Sequence, residues 1–129
     1  MQVGNMLRAL IVEDNRFFRD AFKAELHDRF SSLLIQEAEN GEETLQRINW
    51  APPDLIFMDM HLAGMNGLEL ARRIRNDFPL IRIAMLTGYD MPEYRLAASQ
   101  QEVHHFFVKD LLDWEEIKEF VQSTPENKQ

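Results

Sequence analysis

The chain has 129 residues, 45% of them hydrophobic, no cysteine, and a formal net charge of -8 from 22 acidic against 14 basic side chains. That length and apolar content make one ordinary domain with a real core and no room for a second. The acidic balance excludes a nucleic-acid surface of clustered Lys and Arg, the lack of thiols excludes disulfides and thiolate metal sites, and no apolar run approaches the roughly 18 residues of a membrane span. A soluble, unprocessed, cytoplasmic protein is expected.

Short runs rich in Leu, Ile and Val alternate five times with longer amphipathic stretches, which predicts a parallel sheet covered by helices. The first run, Leu7 to Glu13, is nearly continuous in apolar residues, as a central strand buried on both faces requires, and it ends in the acids Glu13 and Asp14. Asn15 caps a helix whose stripe is Phe18, Phe22 and Leu26, with Phe17 and Ala21 beside them. The second strand is Leu33 to Ala38, closed by the Asn40-Gly41 turn, and the second helix runs from about Glu42 to Asn49 before Pro52 and Pro53. The third strand, Leu55 to Met58, delivers Asp59 at its C-terminal end. A loop from His61 to Asn66 leads into a third helix, Gly67 to Asp77, with Leu68, Leu70, Ala71 and Ile74 on its buried face. The fourth strand is Ile81 to Leu86, tipped by Thr87 and Gly88, and Pro92 opens the fourth helix. The fifth strand, His105 to Val108, ends at Lys109, and the last helix spans Trp114 to about Gln122. These elements define an N-terminal extension over residues 1–6, one domain over 7–122 and a polar tail over 123–129.

Glu13, Asp14, Asp59, Thr87 and Lys109 therefore gather where the strands end, the edge at which open parallel sheets bind ligands. Three carboxylates in one place repel one another unless positive charge intervenes, so a cation is implied. Oxygen donors without His or Cys at ligand spacing suit Mg²⁺, which takes carboxylates, waters and a phosphate. On this reading Asp59 is the nucleophile toward an incoming phosphoryl group, Glu13 and Asp14 hold the metal, Lys109 stabilises phosphoryl oxygens, and the Thr87 hydroxyl donates to one of them. His104 and His105 lack ligand partners and are given no metal role.

From Leu7 to Val121 the sequence resembles a bacterial response-regulator receiver domain. The resemblance is carried by Glu13-Asp14 after an apolar strand, the run Asp54-Leu55-Ile56-Phe57-Met58-Asp59, Met65 and Gly67 behind it, Thr87-Gly88, and Phe106 three places before Lys109. It implies a flavodoxin-like, doubly wound α/β fold with five parallel strands in the order 2-1-3-4-5 and five flanking helices. It also implies phosphorylation of Asp59 by a histidine kinase or phosphotransfer protein, with Mg²⁺ held by Glu13, Asp14, Asp59 and the backbone carbonyl of His61. The resemblance further implies a switch through Thr87 and Phe106 that reshapes the face made by the fourth helix, fifth strand and fifth helix, where a homodimer is expected to form. Such a chain is a signalling protein, assisting only its own phosphorylation and dephosphorylation.

Some positions depart from the family pattern. Ala63 stands where proline is usual, and Gln101, Glu102, Val103 and His105 replace a small, glycine-bearing turn before the fifth strand. His61 and Tyr89 are bulky residues where the family tunes phosphoryl lifetime, so slow hydrolysis is expected. A haloacid-dehalogenase phosphatase needs a second aspartate where His61 stands. A flavin carrier would bring its phosphate against Glu13 and Asp14, which repel it. The remaining alternative is a pseudo-receiver of the same fold acting only as an interaction module.

Overall fold

Ala9 to Val12 are apolar and fully buried, as suits Arg8–Val12 (β1), an interior strand of the sheet. The computed structural model describes residues 6–125; residues 1–5 of the expected extension and 126–129 of the expected tail lie outside the described residues. After β1 come Arg16–Arg29 (α1), Leu34–Ala38 (β2), Gly41–Trp50 (α2), Leu55–Asp59 (β3) and Gly67–Asp77 (α3). Arg82–Thr87 (β4), Pro92–Gln100 (α4), His105–Val108 (β5), a short 3₁₀ turn over Lys109–Leu111 and Trp114–Gln122 (α5) complete the fold. The five strands are parallel in the order β2-β1-β3-β4-β5, as expected. Among the described residues no helix is long and apolar enough to cross a membrane.

Alternation along the strands builds two apolar layers, because successive side chains leave opposite faces of a strand. Leu10, Val12, Ile56, Met58, Ile83 and Met85 pack with Ile48 of α2, Leu70, Ala71 and Ile74 of α3, and Ala98 of α4. Ala9, Ile11, Leu55, Phe57, Ala84 and Leu86 pack with Phe22 and Leu26 of α1 and Ile117, Phe120 and Val121 of α5. Phe57 meets Phe22 and Phe120 edge-on, with centroids 5.0 Å and 5.5 Å away. Full burial of such a side chain stabilises the fold by about 1.5–3 kcal/mol.

Local chemistry sets the element starts. Asn15, Asn40, Asn66 and Asp113 each accept a backbone N–H of the helix they precede, satisfying donors that have no intrahelical partner. No side chain caps α4, which begins with Pro92 at its first turn. Several boundaries shift by one residue: Asp59 and Thr87 close their strands, whereas Leu7 and Glu13 flank β1, still bonded through Leu34 N–H to Leu7 O and Glu13 N–H to Ala38 O.

The stripe expected on α1 needs correction. Phe18, Phe22 and Leu26 face inward, but Ala21 is exposed and Phe17 is 89% exposed. At 100° per residue, Phe17 lies about 150° from the centre of the buried stripe. Arg19 takes the inward position and is buried. The exit of α4 also has an unusual form: Glu102 adopts φ 59°, the left-handed conformation, where a glycine-bearing turn is absent.

Candidate functional site

Parallel strands with a common polarity bring four C-terminal ends to one edge. Asp59 is the last residue of β3 and is 4% exposed, while Glu13, one residue beyond β1, is completely buried. Asp14 beside it is exposed. Ligand oxygens of Glu13, Asp14 and Asp59 all lie within 4.8 Å of one another. Lys109 enters from the end of β5, its Nζ 2.6 Å from Glu13 Oε1 and 3.5 Å from Asp59 Oδ1. The ammonium also lies 4.7 Å from the centre of the Phe18 ring. The sequence had placed Phe18 in the core only, yet it also forms one wall of the site.

Backbone donors fix the acids. Asn15 N–H donates to Glu13 Oε2 at 3.0 Å, His61 N–H to Asp59 Oδ1 at 3.2 Å, and Ala63 N–H to Asp14 Oδ2 at 3.3 Å. A proline at 63 has no N–H to give, so the departure at Ala63 permits a contact the usual residue does not. Gly67 lets α3 start directly against the end of β3: a Cβ there would meet Asp59 O at 2.3 Å and Met60 Cα at 2.9 Å, both main-chain atoms. Only glycine tolerates that approach.

Burial pushes the Glu13 carboxyl above the ordinary carboxylate range; Asp59 adds to the rise, while Lys109 and the Asn15 N–H oppose it. With all three acids ionised, one ammonium leaves the cluster strongly negative. Glu13 Oε1 meets Lys109 as an ion pair without an aligned hydrogen bond. A buried carboxylate oxygen with unused lone pairs, among oxygen donors only, fits a hard divalent cation such as Mg²⁺.

Thr87 is buried, and its Oγ1 accepts Tyr89 N–H at 3.2 Å and lies 3.3 Å from the Tyr89 carbonyl, closing the hydroxyl onto its own loop. His61 is exposed, its ring edge-on to Tyr94 at 5.2 Å and to Tyr89 at 6.4 Å. Phe106 is half-buried against the α2-α3-α4 layer, and the Arg95 guanidinium covers its ring at 4.7 Å while bonding Asp90 at 2.7 Å. Away from the acids, His104 Nδ1 accepts Ile83 N–H at 3.1 Å, and His105 Nδ1 lies 3.3 Å from Glu116. The sequence reading passed over Arg19, whose Nη1 donates to the Glu13 carbonyl at 2.7 Å. The available signal was a cation inside an apolar helical stripe.

The sequence profile described as "Response regulator receiver domain" matches residues 9–122. The sensory transduction protein LytT of Bacillus subtilis is 33% identical over 114 residues, covering 88% of this chain and 46% of its own length. LytT of Oceanobacillus iheyensis is 36% identical, covering 80% of this chain and 42% of its own. The chain thus spans less than half the length of these curated relatives. Among solved structures, the response regulator protein TrrA from Thermotoga maritima, in complex with Mg²⁺ and BeF, superposes with a TM-score of 0.79 at 34% identity, over 91% of this chain and 97% of that one. The receiver domain of a NarL response regulator from Mycobacterium tuberculosis, at 24% identity and TM-score 0.79, shares the fold.

Proposed function

The chain belongs to the response regulator receiver domain family, and from that premise we propose that it accepts a phosphoryl group onto Asp59 from the phosphohistidine of a histidine kinase or phosphotransfer protein. The observation that carries this reading is the Lys109 ammonium held between Glu13 and Asp59, beside a third carboxylate, at the ends of parallel strands. An Asp59 carboxylate oxygen attacks phosphorus, the P–N bond breaks, and its electron pair returns to the departing imidazole, which takes up a proton. Lys109 offsets charge on the phosphoryl oxygens. Glu13, Asp14, Asp59 and the backbone carbonyl of His61 are the residues to hold Mg²⁺. The bound ion supplies positive charge that lets a phosphoryl group approach three acids.

Output follows from Thr87. Its hydroxyl now bonds the Tyr89 main chain, and turning to a phosphoryl oxygen breaks those contacts and moves the loop before α4. Phe106, under Arg95, lies on the same side, and Tyr89, Met91 and Leu96 leave apolar surface on α4 and its approach. The α4-β5-α5 face is accordingly the switching surface and the site of homodimerisation. The chain is a cytoplasmic signalling module that acts on its own aspartyl phosphate and contacts neither nucleic acid nor membrane directly. The test is mass spectrometry after incubation with acetyl phosphate and Mg²⁺, with an Asp59→Asn control. The wild type gains one phosphoryl group and the variant none. An unchanged wild-type mass, with no labelling by any histidine kinase, moves the reading to a pseudo-receiver that works only through protein contacts.

A further inference from the structure

Arg19 is the one buried basic residue among the described residues, and the chemistry above makes no use of it. Its guanidinium donates through Nη1 to the Glu13 carbonyl at 2.7 Å and through Nε to Glu37 Oε1 at 3.0 Å. Glu37 is fixed in turn by Lys23 Nζ on its other oxygen, 2.7 Å away. On the opposite side of the same residue, Glu13 N–H donates to Ala38 O at 3.0 Å. The main chain of Glu13 is therefore gripped through its N–H by β2 and through its C=O by α1.

We propose that Arg19 is a positioning residue for the cation-holding acids: anchored on Glu37, it fixes the main chain from which Glu13 and Asp14 present their carboxylates. The inference rests on the phosphoacceptor reading and deepens it. Charge alone gives no reason for a guanidinium here, because a positive group beside an acidic cluster opposes cation binding. Its planar fork explains its presence, since one rigid group reaches two acceptors at a fixed angle where a lysine offers a point charge. Positioning and electrostatics therefore predict opposite signs when the residue is replaced.

The experiment is a titration of the ¹⁵N-labelled chain with MgCl₂ alone, following the amide signals of Asn15, His61 and Ala63, with the metal-free thermal midpoint measured in parallel. Arg19→Met is expected to weaken Mg²⁺ binding by about 10-fold to 100-fold, the usual scale for removing a partner behind the metal ligands. Arg19→Lys is expected to restore thermal stability but not the affinity. Unchanged or tighter binding by Arg19→Met, or full restoration of affinity by Arg19→Lys, overturns the proposal. Should Arg19→Met not fold, Glu37→Gln carries the test from a side chain 28% exposed: a several-fold loss supports the role, and wild-type affinity overturns it. A wild type whose amides ignore Mg²⁺ brings down the phosphoacceptor reading itself and this proposal with it. A responsive wild type with equally responsive variants brings down only the role of Arg19.

Discussion

Lys109 is held by three neighbours of different kinds: a buried carboxylate, a second carboxylate and an aromatic face. On the proposed phosphoacceptor chemistry the first two also take part in the reaction, so Phe18 is the neighbour whose replacement tests orientation alone. A cation over an aromatic face contributes about 0.5–1 kcal/mol at exposed sites and more when desolvated. Phe18→Leu is thus expected to slow labelling by acetyl phosphate roughly two- to fivefold, with little change in urea midpoint because leucine keeps the stripe apolar. An unaltered rate would assign Phe18 to packing only. The sequence placed Glu13, Asp14, Asp59, Thr87 and Lys109 together because each ends an apolar run, a property visible in one dimension. It did not show Phe18 beneath Lys109 or Arg19 on the Glu13 carbonyl. Those contacts depend on how far α1 is rolled about its axis, and a wrong roll also put Phe17 in the stripe.

Of the helices, α4 was least legible at its end, for a physical reason: Ala98 is its one buried residue, so little apolar periodicity marks where it stops. Its exit is shaped by closure onto β4, with Val103 N–H bonded to Ala98 O at 3.4 Å and His104 N–H to Ile83 O at 2.8 Å. Glu102 is thereby held at φ 59°, where a side chain with a Cβ is strained by about 1 kcal/mol or more. Among the described residues its only charge contact is a 3.8 Å pair with Arg75, with the Glu102 side chain 79% exposed, so little is lost on removal. Glu102→Gly is expected to raise the thermal midpoint, and a lower midpoint would show the strain to be relieved already.

His104, next along, extends the β4-β5 ladder with a neutral imidazole that accepts Ile83 N–H. Partial burial first, then Arg82, Arg75 and His105, hold its pKa below the ordinary histidine value of 6.5. A depressed histidine pKa means that the unfolded chain binds the proton more readily. The stability is therefore fully present above the unfolded pKa and is lost as pH falls through and below about 6.5. Urea midpoints should fall between pH 7.5 and 5.5 in the wild type and change less in His104→Gln, whose carbonyl also accepts; parallel slopes would count against His104.

At the scale of the whole molecule, the parallel sheet and its covering helices were legible because five apolar runs alternated with five amphipathic ones, whereas the strand order came only with the family resemblance. Which faces stay uncovered was not: Trp50 is 89% exposed and Leu80 63%, though both look like core residues in the sequence. The strand order has a further consequence during synthesis. β1 is translated before both strands that flank it, pairing with residues 34–38 on one side and 55–58 on the other. Until Leu55–Asp59 leaves the ribosome, a strand buried at four of its five positions in the finished fold has no partner on that side, the kind of edge that recruits other chains. Stalled nascent chains with β3 still inside the exit tunnel should be cleaved by protease within residues 8–29, and chains that have released Thr87 should resist. Resistance in the shorter chains would mean that β1, α1 and β2 already form a stable unit. On the order seen here, the first strand made is the part of the nascent chain that waits for both its neighbours.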